Sequence, residues 1–246
     1  MKAAWVAGHG LWTPGFGSVA AFGGQQVDAA VQEPAAALLP SRLARRASLL
    51  TRMSIEALEQ AAAGAALDGL ATVFVTAYGE SQTLGFLLDQ LCTDGVYSPA
   101  RFSSSVHNSA AGLFCIAAKN RGFSTTIAAG FDGVAMGLLE AMAVLHQRGG
   151  EVVVVFADEA PPAPFAREGL QPLATALRLC ADRPSQPLGR LSRLRPSESG
   201  RAPVVPTAFA TNPAAPSLPL LQALHDRRIG PVAVSAGWQV ELEAAR

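Results

Sequence analysis

Charge is scarce in this chain. Only 15% of its 246 residues are Asp, Glu, Lys or Arg, against about a quarter in an ordinary soluble domain. Nineteen basic residues balance nineteen acidic ones, which argues against nucleic-acid binding by bulk electrostatics. Lysine is almost missing, with only Lys2 and Lys119. Cysteine is rare: Cys92, Cys115 and Cys180 are widely spaced, without a CxxC. They form neither a disulfide framework nor a zinc site and fit a reducing, cytoplasmic compartment. No apolar run reaches the roughly 18 residues that span a bilayer. The start, Met1 to Gly8, lacks the apolar stretch and cleavage site of a signal peptide, so no membrane insertion is expected.

What is present is apolar. Half of the residues are hydrophobic, enough for a sizeable core. With so little charge, part of the surface is expected to lie against a partner. Ala3 to Ala7 reads as a short buried strand, followed by a glycine-punctuated loop, Gly8 to Gly17. From Pro40 to Leu67 apolar residues recur near a 3.6 period, as in a helix. Strands are expected at Ala71–Ala77, Ser124–Ala129, Glu151–Ala157 and Leu173–Ala181. Helices are expected at Ser81–Cys92, Asn108–Asn120 and Gly133–Arg148, with a short extended piece at Phe102–Val106. Residues 183–212, rich in Pro, Ser and Arg, read as a long surface loop. A helical turn or two at Ser217–His225 and one last strand within Ile229–Leu242 complete the chain. Alternating strands and helices imply a layered α/β fold.

The usual catalytic and cofactor signatures are missing. Gly8-x-Gly10 with Gly15 and Gly17 is not GxGxxG, Pro14 stands where a helix should open, and no GxxxxGK[ST] occurs. The histidines, His9, His107, His146 and His225, have no ligand spacing, so neither cofactor nor metal is expected. Ser105 and His107 could be neighbours on one side of an extended segment, but no GxSxG elbow accompanies them. Cys115 lies in the apolar stretch Leu113-Phe114-Cys115-Ile116, an ordinary setting for an inert core thiol.

Two stretches carry a family resemblance. Val6-Ala7-Gly8-His9-Gly10-Leu11-Trp12-Thr13-Pro14-Gly15 resembles the opening strand and turn of β-ketoacyl-acyl-carrier-protein synthases. Arg101-Phe102-Ser103-Ser104-Ser105-Val106-His107-Asn108, followed by Arg121 to Ala129, resembles their dimer-interface segment and the strand leading to the nucleophile. The resemblance covers about residues 3–160 and is strongest to chain-length factors of aryl-polyene and xanthomonadin-type pigment clusters. It implies a thiolase-like layered fold, mainly the N-terminal βα repeat with a truncated C-terminal remnant. The expected layout is a single ketosynthase-like domain: a core over residues 1–182, the loop at 183–212 and the remnant at 213–246.

The departures matter as much. Counted from Arg121-Gly122, the nucleophilic cysteine of the catalytic family falls on Phe131, and one-residue gaps move it to Gly130 or Asp132. None is a nucleophile. The two histidines the catalytic family requires have no counterpart, and the surroundings of His225 do not match. The resemblance therefore implies a non-catalytic chain-length-factor subunit, not an enzyme on its own. It would form a heterodimer with a catalytic ketosynthase, acting on chains held by an acyl carrier protein. Its strand Ser124, Thr125, Thr126, Ile127 and Ala128 would pair across the interface. Phe102, Ser105, Val106, Ser109 and Leu113 would wall the acyl tunnel, and Phe131 would fill the vacated pocket. Arg183, Arg190, Arg193, Arg195 and Arg201 could attract an acidic carrier protein, but a solvated loop is the favoured reading of them. The alternatives are an acyltransferase or thioesterase with a nucleophile relocated to Ser105 or Cys115, and a scaffolding homodimer.

Overall fold

A computed structural model describes residues 2–197, 200 and 202–245. The described elements run β1 (Ala4–Trp12), α1 (Val19–Gly23), α2 (Ser41–Ala44), α3 (Leu49–Ala61), β2 (Ala71–Val75), α4 (Ser81–Asp94) and α5 (Pro99–Phe102). They continue with α6 (Ser109–Ala117), β3 (Ser124–Ile127), α7 (Gly133–Arg148), β4 (Glu151–Asp158) and β5 (Leu173–Cys180). β6 (Gly189–Pro196), α8 (Leu218–His225), β7 (Gly230–Ser235) and β8 (Trp238–Glu243) complete the order.

The strands form one sheet in the order β3-β2-β4-β5-β1-β6-β8-β7. β2 is parallel to β3 and β4, while β5 runs antiparallel between β4 and β1. The central strands β2, β4 and β5 are buried on both faces. Val152, Val154 and Phe156 of β4 face a core with Val134, Leu138 and Met142 of α7. Val153, Val155 and Ala157 face the opposite way, onto Met53, Ala57 and Leu58 of α3 and Phe114 of α6. This two-sided burial is why β4 reads as an unbroken apolar run rather than an alternation.

The sheet does not stay flat. α7 packs on β2 and β4, and it also meets β6 and β7 from the far end of the sheet. The β6-β8-β7 end therefore curls around α7, with α8 against β7. The layers are helix (α3, α6), sheet, helix (α7, α8), and returning sheet.

Several elements differ from the sequence expectation. β1 runs through the glycine region to Trp12, because Gly8 and Gly10 let α3 lie directly on the strand. The helical stretch from Pro40 is two helices, α2 and α3, the second capped by Ser48 accepting the Thr51 N–H. Phe102–Val106 is not extended. Ser98 caps α5, Pro99 opens it, and the chain leaves in a turn. The expected loop at 183–212 contains β6, which pairs with β1 and β8 and buries Leu191. The last strand is a hairpin, β7 and β8, turned at Ala236-Gly237. Among the described residues no helix is long and apolar enough to cross a membrane.

Candidate functional site

The C-terminal ends of the parallel strands β2, β3 and β4 open on one region of the molecule. Here β3 leads into a short 3-10 turn, Gly130–Asp132, and then α7. Phe131 occupies this turn, where the resemblance put the nucleophile. Its ring is 55% exposed, so it does not fill a vacated pocket, a correction to that expectation. Gly130 takes a left-handed φ of 54° and Gly133 is buried against Val75, which sets the ring outward.

β3 is the last strand of the sheet and pairs only with β2. Ser124, Thr125, Thr126 and Ile127 are half-buried, and Ala128, beyond the strand end, is exposed. Thr126 Oγ1 is buried without a hydrogen-bond partner. The chain also carries an unusual amount of uncovered apolar surface. Of the leucines of α4 only Leu87 is buried; Leu84, Leu88 and Leu91 are exposed, as are Phe86, Val96, Tyr97, Phe102, Val106 and Ile116. An α4 that buries one leucine of four gains little from its own fold.

The expected wall residues divide. Phe102 and Val106 are exposed, Phe102 beside Tyr97 with ring centroids 5.5 Å apart. Ser105 and Leu113 are half-buried. Ser109 is buried, its hydroxyl donating to the Ser104 carbonyl at 2.9 Å. The three serine hydroxyls before it turn back on their own helix: Ser103 to Ala100, Ser104 to Arg101 and Ser105 to Phe102. His107 Nε2 lies 3.0 Å from the Thr76 carbonyl oxygen, which makes it the donor there. Ser105 and His107 thus form no nucleophile–base pair. Cys115 is half-buried and Cys92 exposed, while burial and then Glu151 push the Cys180 thiol up to about 12.

Sequence reasoning missed an acidic cluster at the end of β4. The Asp158 carboxylate accepts from Thr76 Oγ1 at 2.8 Å, from the Ala77 N–H at 2.9 Å and from the Tyr78 N–H at 2.9 Å. Burial nevertheless holds its carboxyl up at about 6. Glu159 beside it rises to about 7, from burial first and from Glu80 second. Glu80 is itself buried and accepts three hydroxyls, Ser48 (2.7 Å), Thr51 (2.9 Å) and Thr83 (3.0 Å). The only signal in the sequence was the acidic pair ending the most apolar strand. Among the described residues no three His, Cys, Asp or Glu are grouped to hold a metal.

Two arginines of the expected loop, Arg183 and Arg190, are engaged. Arg190 pairs with Glu243 at 3.3 Å and, with Arg183, flanks the Trp5 ring at 5.3 and 5.5 Å. Arg193 and Arg195 lie on β6, and Arg201 lies outside the described residues.

Residues 23–202 match the sequence profile of the β-ketoacyl synthase N-terminal domain. The chain belongs to this family. Its fold is similar to solved ketosynthase structures. One similar structure is a ketosynthase, ApeO, in complex with its chain length factor, ApeC, from Xenorhabdus doucetiae, with TM-score 0.71 and 21% identity over 98% of this chain and 100% of that one. Another is the ishigamide ketosynthase/chain length factor, with TM-score 0.71 and 16% identity over 99% of each chain. A third, AntDE:AntF, is a type II polyketide synthase acyl-carrier protein in complex with its ketosynthase, with TM-score 0.77 and 10% identity over 99% of each chain. No curated protein matches the sequence. The expected layered α/β architecture holds, while the turn into α7 carries a phenyl ring.

Proposed function

We propose that this chain is a non-catalytic chain-length-factor subunit. It pairs through the β3 edge with a catalytic β-ketoacyl-acyl-carrier-protein synthase in the cytoplasm. In that heterodimer it walls the tunnel that holds the growing acyl or polyene chain on its carrier protein, and it needs no cofactor of its own. The observation that supports this reading is the turn Gly130–Asp132: the position to which the family resemblance assigns the nucleophile has neither thiol nor hydroxyl. The open β3 edge and the exposed apolar α4–α5 surface support an obligate partner, because such an edge is a liability in isolation. The end-to-end likeness to structures described as ketosynthases with chain length factors supports the same reading.

Bulk along the wall then limits chain length, since packed protein yields little to extra methylenes. Phe102, Ser105, Val106, Ser109 and Leu113 are the wall residues of this proposal, and Ser124 to Ala128 its interface strand. The aryl-polyene class of product follows from the sequence resemblance.

The test is co-expression with a ketosynthase from the same organism, followed by size-exclusion chromatography with mass determination. The expected result is a one-to-one complex, with this chain poorly soluble alone. A stable monomer that ignores the ketosynthase would overturn the proposal.

A further inference from the structure

Between the α2–α3 turn, the start of α4 and α5 lies an open pocket of about 490 Å³. Three arginines line it: Arg45 and Arg46 from the turn, and Arg101 from α5. None of the three has an ion-pair partner among the described residues. In a chain with so few charges, three unpaired arginines around one cavity are a concentration of positive charge that the fold itself does not use. Arg101 is also held in place, its guanidinium carbon 4.1 Å from the centroid of the Phe86 ring.

The rest of the lining sharpens the ligand. The first turn of the 14-residue α4 contributes Gln82 and Thr83; this helix has no side-chain cap and no acid in its first turn. Its N-cap residue is Glu80, whose carboxylate stands at that helix end, so the positive field of the pocket comes from the arginines. The hydroxyls of Ser48 and Thr83 are already donated to Glu80, so recognition falls to the guanidiniums. Glu159 is the one acid in the lining, and it is buried, with its carboxyl raised to about 7. A carboxylate satisfies one guanidinium fork; three forks around one cavity suit a tetrahedral dianion. A bare phosphate would leave much of the cavity empty, against Phe86, Leu49 and Ala100.

We propose that this pocket binds an organic phosphate, its phosphoryl group among Arg45, Arg46 and Arg101 and an apolar arm against Phe86 and Leu49. The site is separate from the turn at Phe131 and does not depend on the chain-length-factor reading.

The test is calorimetric titration of the whole chain, in whatever assembly it purifies, with phenyl phosphate, inorganic phosphate and benzoate at fixed low salt. Phenyl phosphate should bind, and inorganic phosphate and benzoate should each bind at least about tenfold more weakly. Arg101→Gln and the double variant Arg45→Gln/Arg46→Gln should each weaken phenyl phosphate by about tenfold or more. Arg42→Gln, which removes a neighbouring charge outside the pocket, should change it less than about twofold. All four side chains are at the surface, so circular dichroism should show unchanged folding. Three results would each overturn the proposal: no binding of phenyl phosphate, equal loss in the Arg42 control, or benzoate binding as well as phenyl phosphate.

Discussion

The α-carbon of Gly10 faces the carbonyl oxygen of Ala57 so closely that a Cβ on it would stand 2.0 Å from that oxygen. Gly8 stands in the same relation to Ala61, at 2.1 Å. These two contacts seat α3 on β1. The obstacle is backbone, which cannot rotate away. Gly10→Ala should therefore cost about 3 kcal/mol or more, at the upper end of overpacking effects. Urea denaturation checks this; a loss under about 1 kcal/mol would mean that α3 can slide on the strand.

Asn212 ties the C-terminal part to the end of β4. Its Nδ2 donates to the Asp158 carbonyl at 3.0 Å and to the Gln171 carbonyl at 2.7 Å, while its Oδ1 accepts the Ala214 N–H at 2.8 Å. The residue is buried, so deleting the amide orphans backbone groups that water cannot reach. Asn212→Ala should destabilise by about 2–4 kcal/mol. Hydrogen exchange should show the loss concentrated in α8, β7 and β8. Uniform loosening of the whole sheet would contradict the pinning role.

Glu159 makes stability depend on pH. Its carboxyl moves from an ordinary 4.5 to about 7 on folding. Between these values the folded chain holds a proton that the unfolded chain has released, so stability falls as pH rises through that window. Asp158, moved from 3.8 to about 6, adds a loss of the same sign at lower pH. Glu159→Gln stays neutral throughout. It should match the parent near pH 5 and exceed it near pH 8 by about 1–3 kcal/mol. A parent whose stability rises from pH 5 to pH 8 would contradict the assignment.

The parts that could be read from the sequence are those whose environment is uniform along the element. β4 is valine after valine because both faces are buried, and α7 begins and ends where expected, from Gly133 to Arg148. β6 could not be read this way. Its Arg-Leu-Ser-Arg-Leu-Arg text has the polarity of a loop, and it becomes a strand only because β1 and β8 supply hydrogen bonds from far along the chain. The acidic cluster was hidden for the same reason: Glu80, Asp158 and Glu159 meet only when β2 and β4 lie side by side. The reading of Phe131 as the filler of a lost pocket assumed an inward ring, which the Gly130 conformation turns outward.

The β3 edge offers a direct test of the pairing. The Phe123 and Ile127 carbonyls accept from β2, at Thr72 and Thr76. By the twofold alternation of a strand, the backbone groups of Thr126 point away from the sheet. Thr126→Pro removes an outward N–H that the isolated chain does not use, a change edge strands tolerate. The variant should keep its circular dichroism spectrum and lose ketosynthase association by about tenfold or more. Unchanged association would place the interface elsewhere, with the apolar α4 face as the next surface to vary.

Val106 tests the tunnel. It is exposed in this chain, three residues before the start of α6 and close in sequence to Phe102. If the partner covers it and the growing chain passes beside it, indole bulk there removes room for several methylenes. The wall cannot readily relax, because Ser109 and the serines before it are fixed by hydrogen bonds to their own backbone. Val106→Trp, co-expressed with the ketosynthase, should therefore shorten the product while leaving the complex intact and folded. Mass spectrometry of the carrier-bound products reads the length, and size-exclusion chromatography reads the complex. A shorter product from an intact complex ties length control to this chain. An unchanged product from the same complex would reduce the subunit to a scaffold, whose role is to stabilise its partner without shaping the tunnel.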